Sequence, residues 1–436
     1  MKKFLLKILS FILKKEAQLI VRKYRPTIIG ITGNVGKTST KTAIYEVLKT
    51  EKNVRTAVKN FNNELGLPAV IISEKESDYS FLYWLKTAIY GLVQIIFKNK
   101  NYPEILILEY GVDVPSDMDR LLEIATPQIG VITPIGEIPV HIEFFENRLA
   151  LVKEKAKMIG SLPATGIAIL NSDSIDLDFF QEKSKAYIIT YGFSKNANIK
   201  IKDFKTEINY KENKIFTSFK ISYNGSSYEI KLENIVGKSA SYAIAAAFTV
   251  GLTFGMTPQK IVENICTHYK NPPGRENIIY GIKDSFILDD TYNASPQAME
   301  EALHTLNTLN AKRKIAVLGD MLELGIHTLE AHEKIGKEAA KIVNLLITVG
   351  VRGKLIAEAA KKNGLDKKNI YSFDTLEETA AFLQKIIKKD DLILIKGSQA
   401  VRMEKITKSI MLEPEKAKEF LVRQSPKWLA KAGLYD

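Results

Sequence analysis

A glycine-rich segment near the start of the sequence could bind a phosphate group. Its residues are Thr32, Gly33, Asn34, Val35, Gly36, Lys37, Thr38 and Ser39. The glycines let backbone N–H groups turn towards an anion, Lys37 adds a mobile positive charge, and Thr38 adds a hydroxyl for Mg²⁺. Ile31 stands where the standard P-loop has its first glycine, so the loop is a shortened form. We predict that these residues bind the phosphates of a nucleotide.

Other side chains could complete a metal-dependent site. Glu109 ends the apolar run ILILE, and an acidic residue at the carboxyl end of a parallel strand can share Mg²⁺ with Thr38. His141 follows another apolar run and is a candidate second metal ligand. A lysine near Mg²⁺ can react with CO₂ to form a carbamate, which is an anionic oxygen ligand. The run KEKAK at 153–157 offers three lysines, and the residues alone do not select one.

The composition describes an ordinary globular protein with a basic surface. The 436 residues carry 62 Lys and Arg against 50 Asp and Glu, a net charge of +12, and 45% of them are hydrophobic. The single cysteine, Cys266, excludes an intrachain disulfide and is typical of a reducing cytoplasm. No basic-aromatic motif favours a nucleic-acid partner. The positive charge instead favours an anionic substrate or an anionic membrane surface.

The elements that would position these residues alternate between strands and helices. This alternation at 27–190 predicts a mostly parallel sheet, and a period-two pattern at 198–233 predicts antiparallel hairpins. The fold class is therefore α/β: a central P-loop domain with a mostly parallel sheet plus antiparallel hairpins, and a C-terminal Rossmann-like α/β domain. The predicted segments are 1–26, basic and amphipathic; 27–271, the central nucleotide-binding domain; 272–410, the C-terminal domain; and 411–436, a loosely attached helical tail.

Two apolar stretches could contact a lipid surface. Residues 1–25 hold eight Lys or Arg and one Glu around an apolar run at 4–13, which is too short to cross a bilayer. Such a segment is either an interfacial amphipathic helix or a helix packed on its own domain. The stretch at 81–97 contains Lys86 and Gln94 and predicts a partly exposed helix rather than a membrane span.

The ordered series of motifs resembles that of the Mur ligases, a family of ATP-dependent amide ligases, over residues 27–410. Within the family it is most similar to the branch that joins D-alanyl-D-alanine to a UDP-muramoyl-tripeptide. The matching segments are TGNVGKTS (32–39), NFNNELGLP (60–68), LEYG (108–111), His141 with Glu143, PPGRENI (272–278), DDTYNASP (289–296), LGDMLELG (318–325) with His332, and KGSQAVRMEKI (396–406).

The resemblance implies a role for each matching residue. Registration against Ser161-Leu162-Pro163 makes Lys155 the carbamylated lysine, which would act in catalysis with Lys37 and His141. The implied metal ligands, for what is expected to be two Mg²⁺ ions, are Thr38, Glu109, His141 and Lys155. The implied nucleotide contacts beyond the phosphate loop are Arg275, Tyr292 and Asn293. The implied substrate contacts are Asn60, Asn62, Asn63, Asp320 and Lys396.

Three features depart from the family pattern. About 26 residues precede the first predicted strand, so we expect the usual N-terminal UDP-binding domain to be absent. About two additional residues precede His141, and Pro134 replaces an expected asparagine. The helix start at 237–243 lacks the asparagines that contact adenine in the family, so we expect altered adenine contacts.

The expected function is formation of an amide bond through an acyl phosphate, at the expense of ATP, in peptidoglycan precursor synthesis. The expected partners are a UDP-muramoyl-peptide or related carboxylate, and D-alanyl-D-alanine or another amine. The expected location is the cytoplasm, with peripheral contact to the inner, anionic face of the membrane. Two alternatives remain: a Mur-type ligase for a lipid-linked or polymeric carboxylate, and a non-catalytic nucleotide-binding partner that recruits a complex to the membrane.

Overall fold

The computed structural model describes residues 2–57, 61–73, 80–209, 212 and 214–436, but not the side chains of residues 2–7 and 81. Two open sheets, each covered by helices on both faces, form its framework. The strands of the first sheet are β1 (Thr27–Thr32), β2 (Val54–Thr56), β3 (Ile105–Glu109), β4 (Ile129–Ile132), β5 (Ile167–Asn171), β6 (Tyr187–Gly192), β7 (Ile199–Asn209), β8 (Lys214–Tyr223) and β9 (Ser226–Glu233). Those of the second are β10 (Asn277–Gly281), β11 (Ser285–Asp290), β12 (Arg313–Gly319), β13 (Leu345–Val349), β14 (Ile370–Phe373) and β15 (Asp391–Lys396).

The helices surround these sheets. Those of the N-terminal part are α1 (Lys2–Tyr24), α2 (Lys37–Leu48), α3 (Gly66–Ile72), α4 (Phe81–Ile96), α5 (Asp117–Ile124), α6 (Arg148–Gly160), α7 (Leu177–Lys183), α8 (Lys238–Thr253) and α9 (Pro258–His268). Those of the C-terminal part are α10 (Pro296–Thr308), α11 (Thr328–Ile342), α12 (Gly353–Lys362), α13 (Leu376–Ile386), α14 (Glu404–Ile410), α15 (Ala417–Phe420) and α16 (Pro426–Leu429).

The first sheet has the order β2-β3-β1-β4-β5-β6-β7-β8-β9. It is parallel from β2 to β7, and β8 and β9 then add antiparallel strands. Strands β1 and β3 are buried along almost their whole length, as expected for continuous apolar runs covered on both faces. Because β1, β3 and β4 are adjacent and parallel, their carboxyl ends meet at one edge, where a ligand site is expected.

The second sheet has the order β10-β11-β15-β12-β13-β14, parallel except for β10. The α/β fold class is thus confirmed, with both predicted sheet types present. The sequence pattern missed β10, because this short edge strand directly follows the proline-rich boundary.

Helix α1 packs one face on its own domain and exposes the other. Its residues Leu9, Leu13, Ala17 and Ile20 are buried against the layer that contains α3 and α4. The packed face agrees with a helix that packs on its own domain. The outer face still exposes apolar side chains, so an interfacial amphipathic helix also keeps physical support. No helix in the described ranges is long and apolar enough to cross a membrane.

The C-terminal tail is more tightly attached than predicted. It contains only the short helices α15 and α16, and its end lies against the loop after β15. The guanidinium groups of Arg402 and Arg423, both held by the buried carboxylate of Glu404, anchor it to the C-terminal domain. Apolar periodicity does not reveal such an attachment, because it depends on polar contacts between distant residues.

Candidate active site

A cavity of 670 Å³ lies between the carboxyl edge of the first sheet and the C-terminal domain. The phosphate-loop residues Gly33 to Ser39 form one wall. The same cavity is lined by Glu109 at the end of β3, by His141 in a turn, and by Lys155 on α6. Residues that follow β11 and β15 close it from the C-terminal side. The fold therefore brings together side chains that are far apart in the sequence.

Close contact with the two residues that follow β4 shapes the phosphate loop. Gly33 has φ 137°, and a Cβ atom there would lie 2.1 Å from Thr133 Oγ1, so only glycine fits. The N–H groups of Asn34 and Val35 donate to the carbonyl of Pro134 at 3.0 and 3.1 Å. Gly36 has φ 83° and begins α2. The segment that follows β4 thus holds the loop in one shape.

The N-terminus of α2 lies at the cavity and brings Lys37 and its first backbone N–H groups there. No side chain caps this helix, so its first N–H groups remain available for an anion. Lys37 Nζ donates to the carbonyl of Gly33 at 2.9 Å. Burial lowers the pKa of Lys37, although the charge of Glu109 partly opposes the shift. These donors and this cation make an anion site at the helix end.

Glu109 carries a buried negative charge into the cavity. Burial alone would raise its pKa, but the charges of Lys41 and Lys37 hold the pKa of Glu109 below its usual range. Lys41 Nζ lies 3.1 Å from Glu109 Oε1 as an ion pair, and Glu109 also lines the cavity. The carboxylate is therefore ionised and has coordination capacity left for a cation.

Lys155 is the lysine of the run at 153–157 that enters the cavity. It lies on α6, whose N-cap Asn147 accepts a hydrogen bond from Ala150 N. Lys153 is exposed, and Lys157 Nζ pairs with Asp119 and Glu154 at 2.6 and 2.7 Å. Burial, helped by the charge of Lys37, lowers the pKa of Lys155 to about 7. A large fraction of its amine is thus neutral near neutral pH.

His141 connects the two sides of the cleft. Its Nδ1 lies 2.9 Å from Glu323 Oε2 in the C-terminal domain, and its Nε2 lies 3.3 Å from Asp113 Oδ1. The hydrogen bond from His141 lowers the pKa of Glu323. Both ring nitrogens therefore face carboxylates. A role as a metal ligand would require at least one of these contacts to open.

The C-terminal wall carries a second set of polar groups. The Arg275 guanidinium stacks on the Tyr292 ring, with its central carbon 3.9 Å from the ring centroid. Lys396 Nζ donates to Asp290 Oδ2 at 2.5 Å and to the Asn293 carbonyl at 2.9 Å. These contacts fix the loop after β11 against the end of β15. All five residues line the cavity.

Two carboxyl groups lie where the helix start at 237–243 reaches the cavity. Glu276 accepts hydrogen bonds from Ser239 and, at 2.6 Å, from Thr305. Burial and the charge of Asp290 raise the pKa of Glu276 to about 7, and burial raises the pKa of Glu301 to about 8. Protonatable carboxyl groups thus occupy the region where the sequence lacks the expected asparagines.

The structure separates two of the predicted site residues from the cavity. Thr32 is buried and donates its hydroxyl to the Tyr110 carbonyl at 2.8 Å, so it braces the loop from behind. Asp320 is fully buried and accepts hydrogen bonds from Gly353 N at 2.8 Å and from Tyr435 Oη at 2.6 Å. The structure therefore does not place Asp320 at the cavity, because both its side-chain oxygens accept hydrogen bonds within the C-terminal part of the chain.

The predicted substrate loop is only partly placed. Asn62 lines the main cavity and also a neighbouring cavity of 430 Å³. Asn63 lines the neighbouring cavity, and its side chain accepts a hydrogen bond from Gly66 N at 2.9 Å. Asn60 lies outside the described residues. Ser10 of α1 closes the neighbouring cavity, so this helix adjoins the expected substrate side.

Sequence reasoning missed several residues that line the cavity or pair with a residue that lines it. Lys41 was detectable, because it lies one helical turn after Lys37. Asp113 and Glu323 lie in or next to recognised motifs. The tail residues Trp428 and Lys431 also line the cavity, although nothing in their local sequence indicated it.

Comparison with known proteins identifies the family. The family model for the Mur ligase middle domain matches residues 31–83 and 87–251, and that for the Mur ligase glutamate ligase domain matches residues 274–399. This chain belongs to the Mur ligase family. The sequence resemblance to this family is thereby confirmed, and members of the family are ATP-dependent ligases.

Similar Mur ligases cover most of the chain. The UDP-N-acetylmuramoyl-tripeptide--D-alanyl-D-alanine ligase of Bacillus subtilis is 27% identical over 414 residues, which are 92% of this chain and 79% of that protein. The MurF ligase of Thermotoga maritima, solved in complex with ADP, is 27% identical with a TM-score of 0.75, covering 93% of this chain and 84% of its own. A MurF structure from Acinetobacter baumannii shares the fold, with 22% identity, a TM-score of 0.74 and coverage of 91% and 79%.

Proposed function

We propose that this Mur ligase joins D-alanyl-D-alanine to a UDP-muramoyl-tripeptide at the expense of ATP. The single observation that carries the proposal is the shared cavity, in which the phosphate loop, the buried carboxylate of Glu109 and the half-neutral Lys155 face the C-terminal domain. Similar proteins named for this reaction span most of the chain. The function places the protein in peptidoglycan precursor synthesis.

The reaction has two steps whose charges this cavity can accommodate. An oxygen of the substrate carboxylate attacks the γ-phosphorus of ATP, the bond to the β-phosphate oxygen breaks, and an acyl phosphate and ADP form. The amine nitrogen then attacks the acyl carbon and loses a proton, and phosphate leaves as the amide forms. The N-terminus of α2 and Lys37 would stabilise the transferred phosphoryl group. The C-terminal wall would exclude water from the acyl phosphate.

The cavity residues fit Mg²⁺ if the phosphate oxygens of the bound nucleotide supply part of its ligands. The described residues contain no group of three or more His, Cys, Asp or Glu side chains that could hold a metal alone. Glu109 and the Thr38 hydroxyl would hold the ion together with phosphate oxygens. Mg²⁺, when bound, supplies positive charge that offsets the charge of the phosphates. His141 would serve a second ion after release from Asp113 or Glu323.

Lys155 fits the carbamate proposal because its amine is buried and largely deprotonated. A neutral amine is required, since the nitrogen lone pair attacks the carbon of CO₂ and one proton is released as the carbamate forms. At pH 7 roughly half of a group with a pKa near 7 is neutral, against roughly one in three thousand for an ordinary lysine. The carbamate would place a negative charge near the cation of Lys37.

Product formation from matched substrate pairs tests the proposal. ATP-dependent phosphate release and amide product should appear with UDP-muramoyl-tripeptide and D-alanyl-D-alanine, and much less with other acceptor pairs. The Lys37→Ala protein should lose the activity, whereas Lys361→Ala, an exposed lysine on α12, should keep it. Activity only with a lipid-linked or polymeric carboxylate would favour the alternative Mur-type ligase. Nucleotide binding without turnover of any pair would favour the non-catalytic alternative.

We also propose that the outer faces of α1 and α4 contact the inner, anionic surface of the membrane. These two helices pack against each other, and together they expose many large apolar side chains: Ile8, Phe11, Ile12, Leu19, Leu82, Leu85, Ile89, Tyr90, Leu92, Val93 and Ile96. Large exposed apolar patches mark interaction sites. Lys15, Arg22 and Lys86 are exposed on the same two helices, and Lys98 is exposed just after α4. This positive charge favours anionic lipid over another apolar partner.

Vesicle flotation of the whole protein tests the membrane surface. Removing α1 would uncover its buried contacts, so point substitutions are preferable. The Ile89→Glu/Ile96→Glu protein should lose flotation with vesicles of phosphatidylcholine and phosphatidylglycerol, whereas Ile326→Glu, at an isoleucine 94% exposed elsewhere, should not. Phosphatidylcholine alone should bind the wild type weakly. Equal flotation of the two variants, or no flotation of the wild type, would contradict the proposal.

A further inference from the structure

Residues from both faces of the first sheet line the main cavity. Helix α6, which carries Lys155, packs on one face of this sheet, whereas α2 and α8 pack together on the opposite face. The phosphate loop lies where β1 ends and α2 begins. In the proposed reaction the γ-phosphate must lie near Lys155, so the nucleoside end of a bound nucleotide extends towards the start of α8.

Glu301 offers a carboxyl group at that end of the cavity. The lining there includes Ser239 at the start of α8, Glu276, and Glu301 on α10. Glu276 is already occupied, because it accepts hydrogen bonds from Ser239 and from a threonine of α10. Glu301 is half-buried, and its Oε1 accepts a hydrogen bond from Gln297 Nε2 at 2.9 Å. The same residue also lines a separate cavity of 270 Å³, and its Oε2 remains for a ligand.

Glu301 is largely uncharged near neutral pH. The ionisable groups around it come from both domains: Glu276, Asp290, Lys396, Tyr242 and Asp173. Burial and the charge of Glu276 raise the pKa of Glu301 to about 8, and the charge of Lys396 only partly opposes this shift. At pH 7 roughly nine in ten of the Glu301 carboxyl groups are therefore protonated.

The hydrogen-bonding pattern of a protonated Glu301 matches one edge of an adenine base. Its carboxyl group offers a donor beside an acceptor, as an asparagine or glutamine amide does, and the start of α8 supplies no such amide. Adenine presents the N6 donor beside the N7 acceptor, whereas guanine presents two acceptors at the same edge. We propose that the carboxyl group of Glu301 contacts this edge of the bound nucleotide and selects adenine over guanine, an inference that rests on the ATP-dependent function proposed above.

Calorimetric binding of ADP, GDP and inorganic tripolyphosphate to the whole protein, with Mg²⁺ present, tests the base contact. Wild type should bind ADP roughly tenfold more tightly than GDP at pH 7, which corresponds to about 1.4 kcal/mol of hydrogen bonding. Glu301→Ala should lose most of this preference, whereas Glu301→Gln keeps a donor and an acceptor and should retain it. Tripolyphosphate carries no base, so its affinity should be the same in all three proteins.

The pH dependence of ADP binding separates a base contact from a structural role of Glu301. From pH 7 to pH 9 the protonated fraction of Glu301 falls roughly tenfold, so the affinity of wild type for ADP should fall several-fold. Glu301→Gln should show no such loss, because an amide does not ionise. The control is Glu300→Gln on the same helix, since Glu300 pairs with Lys334 at 2.8 Å and does not line the main cavity. This control should match the wild type in every measurement.

Three binding results would overturn the base contact alone. Wild type could bind ADP and GDP equally, or Glu301→Ala could keep the full preference for ADP. A loss of tripolyphosphate affinity in Glu301→Ala would assign the residue to the shape of the phosphate site instead of the base. Wild-type protein that binds neither nucleotide nor tripolyphosphate would refute the nucleotide site, and the ligase function with it.

Discussion

Replacing Lys155 by methionine should abolish amide formation and stabilise the folded protein. Burial lowers the pKa of Lys155 from 10.5 to about 7, whereas the unfolded chain keeps the ordinary value. Between these values the unfolded chain binds about one proton more than the folded one, so wild-type stability rises with pH through this window. The free-energy cost of burying the charged Lys155 amine is fully present below pH 7 and disappears above about pH 10.5. Methionine has a similar volume and no charge, so it removes the cost.

The expected size follows from the two pKa values. One pKa unit corresponds to about 1.4 kcal/mol, which makes the stability gained by Lys155→Met about 4 kcal/mol at pH 7 and about 2 kcal/mol at pH 9. Urea unfolding in CO₂-free buffer at both pH values measures the difference. Bicarbonate should stabilise only the wild type, since only the lysine can form a carbamate.

The control is Lys153→Met, at the exposed lysine two residues earlier on the same helix. This protein should keep its activity and show no pH-dependent gain in stability. The reasoning about Lys155 would be refuted if Lys155→Met were no more stable than wild type at pH 7. Full amide-forming activity in that protein would remove the carbamate from the mechanism.

Three further substitutions test other parts of the structure. Gly33→Ala would place a methyl group 2.1 Å from Thr133 Oγ1, so calorimetry should show that ADP binding is lost. Burial raises the pKa of Glu16 to about 7. The destabilisation that its ionised carboxylate causes in the folded protein therefore grows as pH rises from 4.5 to 7. Glu16→Gln should raise the melting temperature at pH 8 but not at pH 4.5. Tyr435→Phe leaves an oxygen of buried Asp320 without its donor and should cost about 1–3 kcal/mol in urea unfolding, without a change in the KM for ATP.

The sequence predicted the fold class and most of the cavity because those features have local signals. Apolar runs and glycine spacing are readable in a single segment, and the apolar run that ends at Glu109 forms β3 in the structure. The phosphate loop was recognised for the same reason, since a strand, glycines, Lys37 and a helix follow one another directly.

Features that depend on contacts between distant residues could not be read in this way. Asp320 lies in a motif typical of the family, yet its partners Gly353 and Tyr435 come from later segments. Family resemblance assigned it to substrate, whereas hydrogen bonding assigns it to the core of the domain. Thr32 is similar, because the direction of its hydroxyl depends on the neighbouring strand. The pKa of Lys155 depends on burial, which the sequence does not show.

The contact between His141 and Glu323 makes one imidazole a natural reporter of domain position. The ring belongs to the first domain, and the carboxylate oxygen 2.9 Å from its Nδ1 belongs to the second. The chain has only five histidines, so selective nitrogen labelling would give a spectrum simple enough to assign. The Nδ1 signal would shift whenever the two domains separate. Opening and closing of the cleft could thus be followed in solution without attaching a probe.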